Sequence, residues 1–199
     1  MMLIELTPVP GAALPVQALK DHLRLGTGFA DGAMQDGLVE SCLRAAMAAI
    51  EGRIGKALIS RNFKLVLETW RDAAGQALPV APVTVVNSVT LLDAQGAGTV
   101  LAAARYRLVQ DRHRPKLVAV GTLLPAVPVD GQVEVLFEAG FGAAWAAVPA
   151  DLAQAVFLLA AEFYEHRHEA GAREGGLPMA VQMLIERWRN VRVLGGGAA

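Results

Sequence analysis

The chain has 199 residues, 54% of them hydrophobic and 19% charged, with a formal net charge of -1. That length permits one sizeable core, or a helical core carrying a smaller β insertion, and the near-neutral balance excludes a general attraction to nucleic acid while leaving room for local basic patches. The single cysteine, Cys42, excludes an internal disulfide, and its place in an apolar helical pattern reads as a small buried hydrophobe.

In chain order, MMLIELTPVPG lacks a basic leader region and meets Pro8 and Pro10 early, so no signal peptide is expected. Residues 1–14 read as an extended or irregular N-terminal arm. Pro15 opens a short helix with Val16, Leu19 and Leu23 on one side, and Gly26-Thr27-Gly28 is its expected stop. A second helix begins near Asp31 or Gln35. From Leu38, its stripe of Cys42, Ala45, Ala46, Ala49 and Ile50 ends at Gly55.

After Lys56 the period changes to two. Phe63, Leu65 and Leu67 oppose Asn62, Lys64, Val66 and Glu68, the pattern of a half-buried strand. Further strands are predicted over Thr84–Asp93, Thr99–Leu101, Tyr106–Val109, Lys116–Val120 and Gln132–Glu138, with Asp93–Gly96 as a turn and proline-bearing links between them. The result is about six short antiparallel strands.

Pro149–Glu169 carries the clearest helical pattern. Leu152, Val156, Leu159 and Phe163 form its stripe, with Ala155 and Ala160 widening it. Asp151 lies at the positive end of the helix dipole, His166, Arg167 and His168 at the negative end, and Gly171 beyond. The apolar run Ala139–Ala161 contains Gly140, Gly142, Pro149, Asp151 and Gln154, which argues against a membrane span. Gly171–Gly176 is expected to be a loop. Pro178 starts a last helix with Val181, Leu184, Ile185 and Trp188 on its face. The expected organisation is α+β: an arm (1–14), a helical bundle (15–59 and 148–190), an inserted β region (60–138) and a tail (191–199).

Few patterns carry chemistry. Glu162, Glu165, His166, His168 and Glu169 include a Glu-x-x-His spacing, but a di-metal bundle needs a second such pair, and none is evident. A metal-dependent enzyme built on that cluster, and a small-ligand module built on the β region, are the alternatives to a structural protein. There is no Gly-x-Ser-x-Gly elbow, no phosphate loop, and no dinucleotide fingerprint around Gly140-Phe141-Gly142. Asp111-Arg112-His113-Arg114 reads as a solvated hairpin tip whose basic side chains suit phosphates if it faces DNA. Trp70, Trp145 and Trp188 read as packing anchors.

Several segments in order resemble the head-to-tail connector, or adaptor, proteins of tailed bacteriophages, prophages and gene transfer agents. They are Lys20–Arg24, Glu51–Ile59, the strand Phe63–Trp70, the Leu78-Pro79 link, the Phe137–Gly142 turn, and the helix from Val148 to Leu152 that ends at Tyr164–Arg167. The resemblance implies a non-enzymatic virion component, assembled in the bacterial cytoplasm and placed in the neck of the particle. It implies a ring of about twelve subunits beneath the portal protein that extends the channel for double-stranded DNA and supports stopper or tail-completion proteins. No catalytic residue, metal or cofactor carries over, and no membrane partner is implied. Against that background, Arg187, Arg189, Val191, Arg192, Val193 and Leu194 are expected to bind the portal, because a short Val-Arg-Val-Leu run followed by glycines can reach outward and add to a neighbour as a strand. Asp111, Arg112, His113, Arg114, Arg173 and Glu174 are expected to face the channel or the ring's rim.

Overall fold

The computed structural model describes residues 1–25, 32–167 and 176–190, with side chains of the second helix described from residue 35. It is an α+β fold. Helices α1 (Val16–His22), α2 (Gly32–Ile54), α3 (Ala150–Glu165) and α4 (Met179–Ile185) pack together. The strands are β1 (Met2–Glu5), β2 (Arg61–Leu67), β3 (Gly75–Ala77), β4 (Val83–Leu92), β5 (Gly98–Val100), β6 (Tyr106–Val109), β7 (Lys116–Ala119) and β8 (Gln132–Ala139). They form a five-stranded sheet ordered β1-β2-β8-β4-β5 and a three-stranded sheet ordered β3-β7-β6, with every strand pair antiparallel.

The alternation read in β2 is realised against β8. Phe63 lies opposite Phe137, Leu65 opposite Val135 and Leu67 opposite Val133, so two buried rows meet in register. The Phe63 and Phe137 rings stack at 5.7 Å, and Val89, Val83, Leu78 and Leu117 complete this β core. A separate helical core joins α2 to α3, with α1 and α4 packed on α3. Leu152, Ala155, Val156, Leu159 and Ala160 are buried as the pattern requires.

Three expectations need correction. The buried stripe of α2 is Val39, Leu43, Ala46, Ile50 and Ile54, flanked by Cys42 and Met47, whereas Leu38 and Ala45 are exposed. The sequence reading weighted the alanines, but burial gains scale with apolar area, so the larger side chains take the inner face. The N-terminal arm is partly a sheet strand: β1 pairs with β2 from Met2↔Val66 to Glu5↔Phe63. Its four residues, followed by Pro8, are too short for a period to stand out in sequence. Among the described residues the strands number eight against about six expected, since β1 and the three-residue β3 escaped detection. In β3, Gln76 is buried, and its amide accepts from Arg71 N and donates to Ala77 O, which satisfies it locally.

Backbone geometry sets where elements stop. Helix α2 ends at Gly55 with φ 67°, the left-handed cap its glycine predicts. Helix α1 ends at His22 with Arg24 at φ 55°, while the expected Gly26-Thr27-Gly28 stop lies outside the described residues. Gly140 has φ 143°, and a Cβ there would stand 2.4 Å from Ser60 N and Cα. The chain leaving β8 therefore presses directly on the chain entering β2. Ser60 N donates to Gly142 O and Phe141 N to Leu58 O across this crossing.

Arg61 ties the sheet to the bundle. Its Nη1 and Nη2 donate to the Glu51 carboxylate at 3.0 and 2.7 Å, and Glu51 also accepts from Leu58 N at 2.6 Å. Arg61 Nε lies 2.9 Å from Glu5 Oε1 as an ion pair, but without hydrogen-bond geometry. Burial opposes the charge on Arg61, yet its bonds to Glu51 and the field of Glu51 and Glu5 outweigh this and raise its pKa.

Candidate assembly site

The β6–β7 hairpin tip is docked on the bundle. Asp111 Oδ1 accepts from the backbone N–H groups of His113 and Arg114, both at 2.7 Å, which shapes the turn and holds the carboxyl below its usual range. Lys56, just past the α2 cap, is 2% exposed. Its Nζ donates to Arg112 O at 2.6 Å and lies 3.4 Å from His113 Nδ1. Burial pushes the Lys56 pKa down to about 8; Asp111 works against this and Arg112 reinforces it. His113 is also lowered, by burial first and then by Lys56. From the other side, Asn190 donates through Nδ2 to His113 O at 3.2 Å and accepts from Arg114 Nε at 2.9 Å.

Trp188 forms the floor beside this tip. It is buried, packs edge-on against Phe141 at 5.4 Å, and donates from Nε1 to Asp151 Oδ2 at 2.6 Å. Asp151 sits in the first turn of α3, where a carboxylate also suits the helix dipole, and the same oxygen meets Arg187 Nε at 2.7 Å. Two guanidinium groups reach the Trp188 ring, Arg187 at 4.9 Å and Arg112 at 5.5 Å from its centroid. The result is a surface of arginines on an aromatic base. Its members come from the hairpin tip and from the short turn Glu186–Trp188 that follows α4.

Two groups that sequence reasoning kept apart are therefore neighbours. Asp111, Arg112 and Arg114 are exposed and His113 is half-buried, so the tip presents charge to solvent while its backbone is pinned by Lys56 and Asn190. Arg187, exposed, shares the Trp188 ring with Arg112 of the tip, and Arg189, also exposed, pairs with Glu186 at 3.0 Å. Val191, Arg192, Val193 and Leu194 lie outside the described residues, as do Arg173, Glu174, His168 and Glu169. Glu162, Glu165 and His166 occupy the end of α3, and the described residues contain no group of three or more His, Cys, Asp and Glu placed to hold a metal ion. No described helix is long and apolar enough to cross a membrane.

Sequence reasoning missed Lys56, Asn190 and the anchoring role of Asp151. A lysine followed directly by Ala57-Leu58-Ile59 was the one available signal, since a charge entering an apolar run must find a partner when buried. Nothing in sequence marks Asn190, whose contacts are more than seventy residues away.

No protein-family model and no curated protein matches the chain. Solved structures do. The chain is similar to one in the neck of an empty gene transfer agent particle computed with C6 symmetry, with 58% identity and a TM-score of 0.90, covering 98% of this chain and 99% of that one. It is similar to a chain in the virion of a native gene transfer agent particle (57% identity, TM-score 0.87, the same coverage). A third match is a chain in the neck of the native particle computed with C12 symmetry (54% identity, TM-score 0.84, again 98% and 99% covered).

Proposed function

Because this chain belongs to the head-to-tail connector (adaptor) family of gene transfer agents, we propose that it is a structural subunit of the virion neck, whose copies close into a ring between the portal and the stopper or tail-completion proteins. The carrying observation is similarity over 98% of the chain, at 58% identity, to a neck chain. A neck computed with C12 symmetry supports a ring of twelve. Its work is mechanical rather than catalytic: it extends the channel, lets double-stranded DNA pass without holding it, and offers a platform below. The formal net charge of -1 suits passage without tight binding.

The arginine surface at Trp188 and the chain that continues from Asn190 make the portal contact. Arg187 and Arg189 flank the root of Val191–Leu194, and Arg112 and Arg114 place two more cations beside it. An apolar run flanked by arginines fits a groove or strand edge rimmed by carboxylates. Many copies in one ring turn a weak single contact into a firm one. The hairpin tip then lies at the rim next to the portal.

Electron microscopy of the chain mixed with its portal tests the function; an added ring is expected, and its absence refutes it. Deleting Val191–Ala199 should leave a folded subunit that no longer co-purifies with portal. Normal portal binding by the truncated chain would assign attachment elsewhere.

A further inference from the structure

A cyclic ring joins a surface of one subunit to a different surface of the next, so each copy must carry two unlike, mutually complementary faces. The five-stranded sheet ends in two such faces. Its edges are β1 and β5, and each has a partner on one side only among the described residues. All steps across β1-β2-β8-β4-β5 are antiparallel, so the two edge strands run in the same direction.

The groups they turn outward follow from the ladder. Leu6 N bonds Asn62 O, so by alternation Ile4 and Met2 also bond β2, and Leu3 and Glu5 direct their N–H and C=O away from the sheet. At the other edge, Leu101 N bonds Val89 O, so Thr99 faces β4 while Gly98 and Val100 face outward. Protective features are sparse: neither strand contains proline or lysine, the register shifts of this sheet lie in β4, and the one charged residue, Glu5, is drawn to Arg61. Apolar side chains accompany both edges, with Met2 54%, Leu3 39% and Val100 68% exposed.

We propose that β1 of one subunit and β5 of the next pair as parallel strands, Leu3 opposite Thr99, and thereby form part of the lateral contact that closes the ring. Leu3 then donates to Gly98 O of the neighbour and accepts from its Val100 N. Parallel pairing needs a crossover when both strands belong to one chain, and none when they belong to two. Leu3 and Thr99 lie on one face of the sheet, because Leu3 is aligned through Leu65 and Val135 with Val89, two residues from Leu91, the partner of Thr99. Side chains of neighbouring subunits therefore continue a single face.

The proposal rests on the ring reading, and the tests separate the two. Leu3→Pro and Val100→Pro each remove an outward donor without touching the ladder inside the subunit, a place where edge strands tolerate proline. Each should leave the melting temperature of the monomer within a few degrees of wild type and reduce ring formation at least about tenfold. Independently, a Leu3→Cys/Thr99→Cys chain, oxidised in assembled necks, should give a ladder of cross-linked multimers on a non-reducing gel, while either single variant stays monomeric; the native Cys42 is buried. Rings of normal yield from both proline variants, or oxidised double-cysteine necks that remain monomeric, overturn the strand pairing and leave the ring reading intact. A wild-type chain that forms no ring with its portal overturns both.

Discussion

Replacing Lys56 by methionine isolates the cost of a buried ammonium group. The folded pKa is about 8 against an ordinary 10.5, so between these values the unfolded chain holds a proton that the folded chain has released. Stability must rise with pH wherever the unfolded state binds more protons. The burial penalty on Lys56 is therefore fully present below about pH 8 and relieved as pH climbs toward 10.5. Integrating the linkage relation from pH 7 to pH 10 gives a gain of about 2–3 kcal/mol for wild type that the Lys56→Met chain lacks. Urea denaturation of both chains at pH 7, 8, 9 and 10 reads the difference directly, and titrations common to both chains cancel. At pH 7 the variant should lie close to wild type, since removing the buried charge offsets the loss of the bond to Arg112 O. A difference in unfolding free energy that stays constant from pH 7 to pH 10 would refute the placement of Lys56 as a desolvated cation.

Leu159→Ala empties a fully packed site between α2 and α3 and should cost about 2–5 kcal/mol in denaturant unfolding; a loss below about 0.5 kcal/mol would mean that α3 is not central. Glu51→Ala leaves the buried Arg61 guanidinium with only Glu5 and Ile59 O and releases Leu58 N, for an expected loss toward the lower end of about 3–5 kcal/mol by the same measurement, and Glu51→Gln should recover part of it. Gly140→Ala forces a Cβ into Ser60 at a positive φ, so a drop in melting temperature of roughly 10 °C or more is expected by calorimetry, whereas Gly52→Ala, where a Cβ meets nothing, should be neutral or slightly stabilising.

What the amino-acid sequence determines by itself is local. Periods of 3.6 and 2 locate α3, β2 and β8 because each has a long run in which one face must be apolar, and Gly55 and Asp93–Gly96 mark the ends of α2 and β4 because left-handed backbone and tight turns restrict the residue type. The order of those segments also carries the family resemblance. Elements of three or four residues, β1 and β3, are too short to show a period, and the inner face of α2 stays ambiguous while alanine and larger apolar residues alternate around it. The arginine surface at Trp188 is wholly a product of tertiary structure. Lys56, Arg112, Asp151, Trp188 and Asn190 are scattered along the chain, and hydrogen bonds, desolvation and ring contacts act over a few ångströms of space rather than over sequence distance. Only once the hairpin folds back onto the end of the bundle do a buried lysine, a carboxylate and an aromatic ring hold Arg112 and Arg187 at one place.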